Sequence, residues 1–346
     1  MTPKALQTIS GRYPSLRIAV VGDFCLDRYL EIDPARAEVS IETGLPVYNV
    51  VRVRSQPGAA GTILNNLVAL GVGKIYPVGF CGEDGEGYEL VRALRSLPGV
   101  DPAHFFQTSA RRTFTYCKPL VLTPGEPPRE LNRLDSKNWT PTPPEVTGRL
   151  ADSLEKLRTA VDAVILLDQV DLADTGVVTG SLLKAVDALE RKSLPIPVLA
   201  DSRRGLRGYP PVIFKMNAAE LAALTGMPAQ SSIDEVRKTA VQMAEKNRRA
   251  VFVTLAERGL VGAGPDGRTE HVPALPLRGA IDVVGAGDSV TANLATALAA
   301  GAELGEALGI AALASSIVVH QLGTSGSASV AQMEALLADS PQKARD

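Results

Sequence analysis

Asp282-Val283-Val284-Gly285-Ala286-Gly287-Asp288-Ser289 runs directly into an alanine-rich stretch that ends near Gly301. A turn of small residues thus delivers the chain to the start of a helix. With so little side chain in the way, its backbone N–H groups can approach a ligand closely, and the first turn of a helix leaves such donors unpaired at the positive end of the dipole. That arrangement attracts phosphate oxygens. An aspartate in the first turn, Asp288, faces the same anion and can accept a proton from an attacking hydroxyl. The same residues also read as an ordinary turn with Asp288 capping its helix, and the stretch alone does not separate the two readings.

Working outward, short β-branched runs alternate with longer helical patterns. Strands are expected at 17–21, 163–167, 198–200, 212–216 and 250–254, and helices at 60–70, 87–95, 145–159, 176–191, 218–225, 233–246, 288–300 and 304–320. This order predicts an α/β fold, a mostly parallel sheet covered by crossover helices. Two segments, 27–56 and 107–135, interrupt the rhythm with extended sequence and no helical pattern. They suit a small β-sheet lid inserted into a single domain spanning 1–346, with loops marked by Pro124, Pro127, Pro128, Pro141, Pro143 and Pro144.

The charge balance, 36 Lys and Arg against 38 Asp and Glu, gives no electrostatic case for nucleic acid or an anionic membrane. A small molecule is the expected partner. The apolar run from Ile18 to Val21 is too short for a membrane span or signal peptide, and 293–319 is broken by Gly301, Glu303, Gly305 and Glu306. The three cysteines, Cys25, Cys81 and Cys117, form no Cys-x-x-Cys pair, so a cytoplasmic setting is expected. His104, His271 and His320 have no metal-ligand spacing. The chain has no Gly-x-x-x-x-Gly-Lys-Ser/Thr segment, and Gly79 to Gly87 lacks the Gly-x-Gly-x-x-Gly spacing of a dinucleotide-binding oxidoreductase.

Two further stretches admit both a chemical and a local reading. Asn217-Ala218-Ala219-Glu220 follows an expected strand and is a good capping box. Asp27 closes Gly22-Asp23-Phe24-Cys25-Leu26-Asp27 where the lid departs; its carboxylate can hold two sugar hydroxyls or merely shape a turn.

Taken together, these stretches resemble, in the same order, the ribokinase-like (PfkB) family of carbohydrate kinases, and the likeness spans most of the chain. Within it, Gly22-Asp23 through Tyr29, Asn132-Arg133-Leu134-Asp135, Asp201 through Tyr209, Asn217 to Glu220 and Leu322 to Ser325 look most like a D-glycero-β-D-manno-heptose 7-phosphate kinase domain. The resemblance implies a ribokinase-like three-layer sandwich with a lid, an ATP- and Mg2+-dependent transfer to a sugar or sugar-phosphate hydroxyl, and a homodimer formed through the lid. It implies Asp288 as base and the N–H groups of Gly285, Ala286 and Gly287 as the anion hole. Asn217, Glu220, Thr254 and Gly259 would serve the nucleotide, and Asp27, Gly58 and Thr62 the sugar. Asp282, assisted by the loop Gln321 to Ser325, would hold a monovalent cation such as K+.

The sequence also departs from the family pattern. Ala59 and Ala256 stand where the family often has glycine, and Thr62 stands where a sugar-contacting asparagine is expected. Asp168-Gln169-Val170-Asp171-Leu172 lacks the expected lysine-glycine, and no counterpart is read of the nucleotidyltransferase domain fused to some such kinases. These changes keep open a member of the fold that binds nucleotide or sugar without turnover, or a kinase for another sugar. A phosphorylated acceptor would need cationic clamps, for which Arg28, Arg111, Arg112, Lys118 and Arg133 lie in or near the lid segments.

Overall fold

The computed structural model describes residues 1–191, 196–228, 230–323 and 325–339. A short helix, α1 (Pro3–Ser10), precedes β1 (Arg17–Gly22), which passes almost directly into β2 (Phe24–Ile32). A small hairpin, β3 (Glu38–Val39) with β4 (Pro46–Val47), and the long β5 (Val50–Ala59) then lead into α2 (Ala60–Ala69), β6 (Lys74–Gly82) and α3 (Gly85–Ser96). Next come β7 (Phe105–Thr108), β8 (Thr115–Val121), β9 (Arg129–Glu130), α4 (Pro144–Leu157), β10 (Ala163–Asp168) and α5 (Gly180–Arg191). The chain continues through β11 (Val198–Ser202), β12 (Ile213–Asn217), α6 (Ala218–Thr225), α7 (Ile233–Asn247) and β13 (Val251–Thr254). It closes with β14 (Leu260–Ala263), β15 (Thr269–Val272), α8 (Ala286–Ala299), α9 (Leu304–Val318) and α10 (Val330–Asp339).

Nine strands form the main sheet in the order β15-β14-β13-β12-β11-β10-β1-β6-β7, parallel from β13 to β7. Both faces are buried, and residue alternation assigns each side chain to one of them. Ile18, Val20, Ile165 and Leu167 pack toward α2, α8 and α9, whereas Ala19, Val21, Val164 and Leu166 pack toward α4, α5 and α7. The result is three layers. Strand order reverses beside β1, because the chain runs outward to β6 on one flank and to β10 on the other; ligands of open α/β sheets settle outside the carboxyl ends at such a reversal.

The second sheet, in the order β5-β2-β8-β9, leaves the main body at that place. It is mixed rather than uniformly antiparallel: β2 pairs antiparallel with β5 but parallel with β8. The strands outrun the expected lid bounds, since β2 begins at Phe24 and β5 reaches Ala59, while Gln107 and Thr108 belong to the main sheet in β7.

The sequence reading did not single out β6, β7 or the β14–β15 pair of the main sheet. The strand β6 is masked in the sequence by Pro77, Gly79 and Gly82. It tolerates Pro77 because the Ile75 N–H bonds the Gly99 carbonyl, so the Pro77 nitrogen two residues on faces the same flank. There the turn Pro102–His104 precedes β7, and β7 itself pairs only from Gly79 onward, so the ladder to β1 loses nothing. The antiparallel hairpin β14–β15 departs from strict β/α order; its signal was the turn Gly264-Pro265-Asp266-Gly267.

Candidate active site

Helix α8 packs on β10 and β11, and its first turn lies beside Lys215 of β12. Its N-cap, Gly285, is left-handed at φ 82°, a conformation that glycine adopts without penalty. A Cβ there would lie 3.4 Å from the Ser325 Cα and 3.6 Å from the Thr62 Cγ2, so the site is also closely walled. The three amides expected to form the anion hole are not equivalent. The Ala286 N–H closes the turn onto the Val283 carbonyl at 3.2 Å, whereas those of Gly285 and Gly287 form no bond among the described residues.

Asp288 follows in the first turn, partly buried. Burial pushes its carboxyl up to about 7, helped by the charges of Asp201 and Asp27 and opposed by Lys215. A carboxyl poised there is suited to accept a proton near neutral pH. Beneath it, the Lys215 ammonium bonds the Asp201 carboxylate at 2.7 Å, and the Thr291 hydroxyl reaches the same carboxylate oxygen at 2.8 Å. Lys215 is 6% exposed and arises from β12, whose other core positions are apolar.

In the second sheet, Asp27 and Cys25 stand on β2 against Gly58 of β5. A Cβ at Gly58 would lie 2.7 Å from Asp27 Oδ2 and 2.8 Å from Cys25 Sγ, so glycine is what admits the carboxylate. Burial raises Asp27 more than Lys118, 3.7 Å away, lowers it. Thr62 is 2% exposed. Arg133 pairs with Asp135 and lies 4.4 Å above the Tyr116 ring, and its charge reaches Asp27.

The structure divides the five clamp candidates. Lys118 lies 3.7 Å from Asp27, and Arg133, though paired with Asp135, is near enough for its charge to act on Asp27. Arg28 instead binds Glu89 at 2.9 Å, and Arg111 is buried with its guanidinium on Thr140, so neither is free to clamp a phosphate. Arg112 lies beside Asp84, and its backbone is tied to Asn138.

At the carboxyl end of β12, Asn217 and Glu220 form a complete capping box on α6, with bonds of 2.9 and 2.7 Å. Burial raises the Glu220 carboxyl while the Asn217 N–H lowers it. Thr254 lies beside Asn217 in the neighbouring strand. Gly259 has a structural reason of its own, since φ is 91° and a Cβ would fall 2.0 Å from the Val272 carbonyl oxygen. The Asp282 carboxylate joins two loops, accepting from the Val284 N–H at 3.0 Å and the Gly323 N–H at 3.2 Å. Thr324, in the expected cation loop, lies outside the described residues.

Sequence reading overlooked the layer that supports these groups. Asp23 accepts from the N–H groups of Gln169 and Val177 and so ties down the loop after β10. Asp168, wholly buried, takes bonds from Ser202, Arg204 and Tyr209. For Lys215 the signal was present: a lone charge inside an otherwise apolar buried strand needs an explanation. Ala59 and Ala256, at positions where the family often has glycine, keep positive φ values of 54° and 52°.

The sequence matches the model of the pfkB family of carbohydrate kinases over residues 17–331. It is 31% identical over 332 residues to bifunctional protein HldE of Trichlorobacter lovleyi, covering 94% of this chain and 64% of the relative. It is 32% identical over 321 residues to the HldE of Rhodospirillum rubrum, covering 92% and 62%. The chain therefore spans less than two thirds of the length of these relatives. Among solved structures, Arabidopsis thaliana ribokinase complexed with ribose and ATP superposes with a TM-score of 0.66 at 22% identity, covering 93% of this chain and 98% of that one. Phosphofructokinase-2 from Escherichia coli in complex with fructose-6-phosphate gives a TM-score of 0.67 at 18% identity, with the same coverages. The fold is ribokinase-like, and the chain belongs to the pfkB family of carbohydrate kinases.

Proposed function

We propose that this carbohydrate kinase transfers the γ-phosphoryl group of ATP to a hydroxyl of a sugar phosphate, best matched by a heptose 7-phosphate, with Asp288 as base. The observation that carries this reading is the Asp288 carboxyl at the start of α8, with Asp27 of the second sheet near enough for its charge to act on it and Lys118 3.7 Å from Asp27. Asp27 would hold sugar hydroxyls, Gly58 would leave room for it, and Thr62 would line the same wall. Lys118 and Arg133 would receive the acceptor's own phosphate.

Asn217, Glu220, Thr254 and Gly259 would border the nucleotide. Among the described residues no group of three or more His, Cys, Asp or Glu is placed to hold a metal. A magnesium ion would be held mainly by phosphates and water, with Glu220 as the nearby carboxylate. When bound, magnesium would offset the charge of the β- and γ-phosphates. The Gly285 and Gly287 amides would meet the charge on the phosphoryl group in flight, with Ala286 joining if its turn opens. Asp282, which ties its turn to Gly323, would place carbonyls around a K+ ion.

The lids of two copies would pair, covering the apolar residues Val39, Ile41, Leu45, Val51 and Val53 that β3 to β5 expose. No helix among the described residues is long and apolar enough to cross a membrane. The three free cysteines support a cytoplasmic setting.

ADP release across a panel of sugars and sugar phosphates tests the substrate class. A heptose 7-phosphate should be turned over with a far lower KM than the free heptose, and Arg133→Gln should raise that KM about tenfold while leaving the free sugar unaffected. Equal KM values for both acceptors would reject the phosphate clamp, and binding of ATP without turnover on any acceptor would favour a non-catalytic role.

A further inference from the structure

We propose that Glu89 of α3 is a positioning residue for Asp27, a latch that grips two strands of the second sheet on one face and so fixes the carboxylate on the other. The inference rests on the sugar-binding role proposed above for Asp27. Its geometric basis is a single carboxylate that bonds both strands. Glu89 Oε1 accepts from the Arg28 guanidinium of β2 at 2.9 Å, and Glu89 Oε2 accepts from the Ser55 hydroxyl of β5 at 2.5 Å. Glu86, nearly one turn earlier on α3, adds a second carboxylate 3.6 Å from Arg28. Among the described residues, every side-chain hydrogen bond and ion pair between α3 and the second sheet falls on Arg28 or Ser55.

Register carries this grip through the sheet. Arg28 and Ser55 are direct partners in the antiparallel ladder and share one face, whereas Asp27 and Gln56, partners in the adjoining row, share the opposite face. Neighbouring side chains of a strand keep a fixed relation to each other, so holding Arg28 and Ser55 against α3 sets where Asp27 points. The helix is a firm anchor, because its Leu90 and Leu94 are buried in the main core. Asp27 in turn lies near enough to Asp288 for its charge to act there.

The latch is partly shielded from water. Only 21% of the Glu89 side chain is exposed, and the Arg28 Nε is buried without a partner among the described residues. Exposed ion pairs contribute little, but this carboxylate has an oxygen engaged on each strand in charge-assisted bonds. Neither strand can tilt away from α3 without breaking one of them. A misplacement of about 1 Å between reacting groups can cost on the order of a hundredfold in rate, so a loosened stem of the second sheet should show in the kinetics of the acceptor.

The test compares Glu89→Ala, Glu89→Gln and the double variant Arg28→Met with Glu89→Met for acceptor kcat/KM, ATP KM and Tm, using an acceptor that the wild-type protein turns over. Glu89→Ala should lower acceptor kcat/KM by on the order of tenfold or more, with ATP KM unchanged. Glu89→Gln can still accept from Arg28 and can donate to the Ser55 oxygen, so it should keep most of the wild-type kcat/KM. The double variant leaves neither charge unpaired and should hold Tm near the wild-type value while acceptor kcat/KM stays low. Recovery of acceptor kcat/KM together with Tm, or an equal loss toward ATP, would show a merely structural tie and overturn the assignment. Absence of turnover by the wild-type protein on every acceptor would overturn the kinase reading and this role with it; turnover with acceptor kcat/KM unaltered in Glu89→Ala overturns the latch alone.

Discussion

In the proposed reaction Asp288 takes the hydroxyl proton, and its burial makes that role pH-dependent. A carboxyl at about 7 in the folded protein binds its proton more tightly than in the unfolded chain, where the value is near 3.9. The stability it contributes is present below the unfolded value and is lost as pH rises through about 7. Asp288→Asn, which cannot ionise, should therefore raise Tm at pH 8 and leave it unchanged near pH 3, as read by calorimetry. In the wild-type protein kcat/KM should climb with pH to a plateau above about 7, since the base must be unprotonated. An acid limb lying near 4 instead would mean that another group takes the proton.

Among the elements, α6 and the two alanine turns show how local and chemical roles overlap. Asn217→Ala removes the cap of α6 and should cost about 1 kcal/mol in stability. If Asn217 also serves the nucleotide, KM for ATP should rise well beyond what that loss explains; a fall in Tm with ATP kinetics intact would leave it a cap and nothing more. Ala59→Gly should stabilise the protein by about 1 kcal/mol in denaturant titrations, because φ 54° penalises a residue with a Cβ.

The parallel core and most helices were legible because their periodicity and their caps agree, as at Ser232 and Glu235 of α7. Asp288 and Asn217 stand out in the sequence because each lies where a turn or strand passes into a helix, whereas Asp27 falls inside β2. Other features were hidden because they depend on distant pairing. Pro77 is tolerated only because of what flanks β6, Arg111 looks like a clamp until Thr140 takes its guanidinium, and Asp201 meets Lys215 only when β11 and β12 lie side by side.

At the scale of the whole molecule, the three-layer body carries a second sheet whose edge strand, β5, opens with the exposed run Val50-Val51-Arg52-Val53. Val51→Lys with Val53→Lys, two exposed residues on one face of β5, should convert a dimer to monomers in sedimentation velocity; a wild-type protein that is already monomeric would remove the lid pairing. The kinase itself is tested most directly by measuring ADP release from ATP and magnesium with heptose 7-phosphate, for the wild-type and Asp288→Asn proteins side by side, with ATP affinity determined by calorimetry. Steady turnover by the wild-type protein is expected, with a loss on the order of a thousandfold in the variant at unchanged ATP affinity. Turnover retained by Asp288→Asn would contradict it.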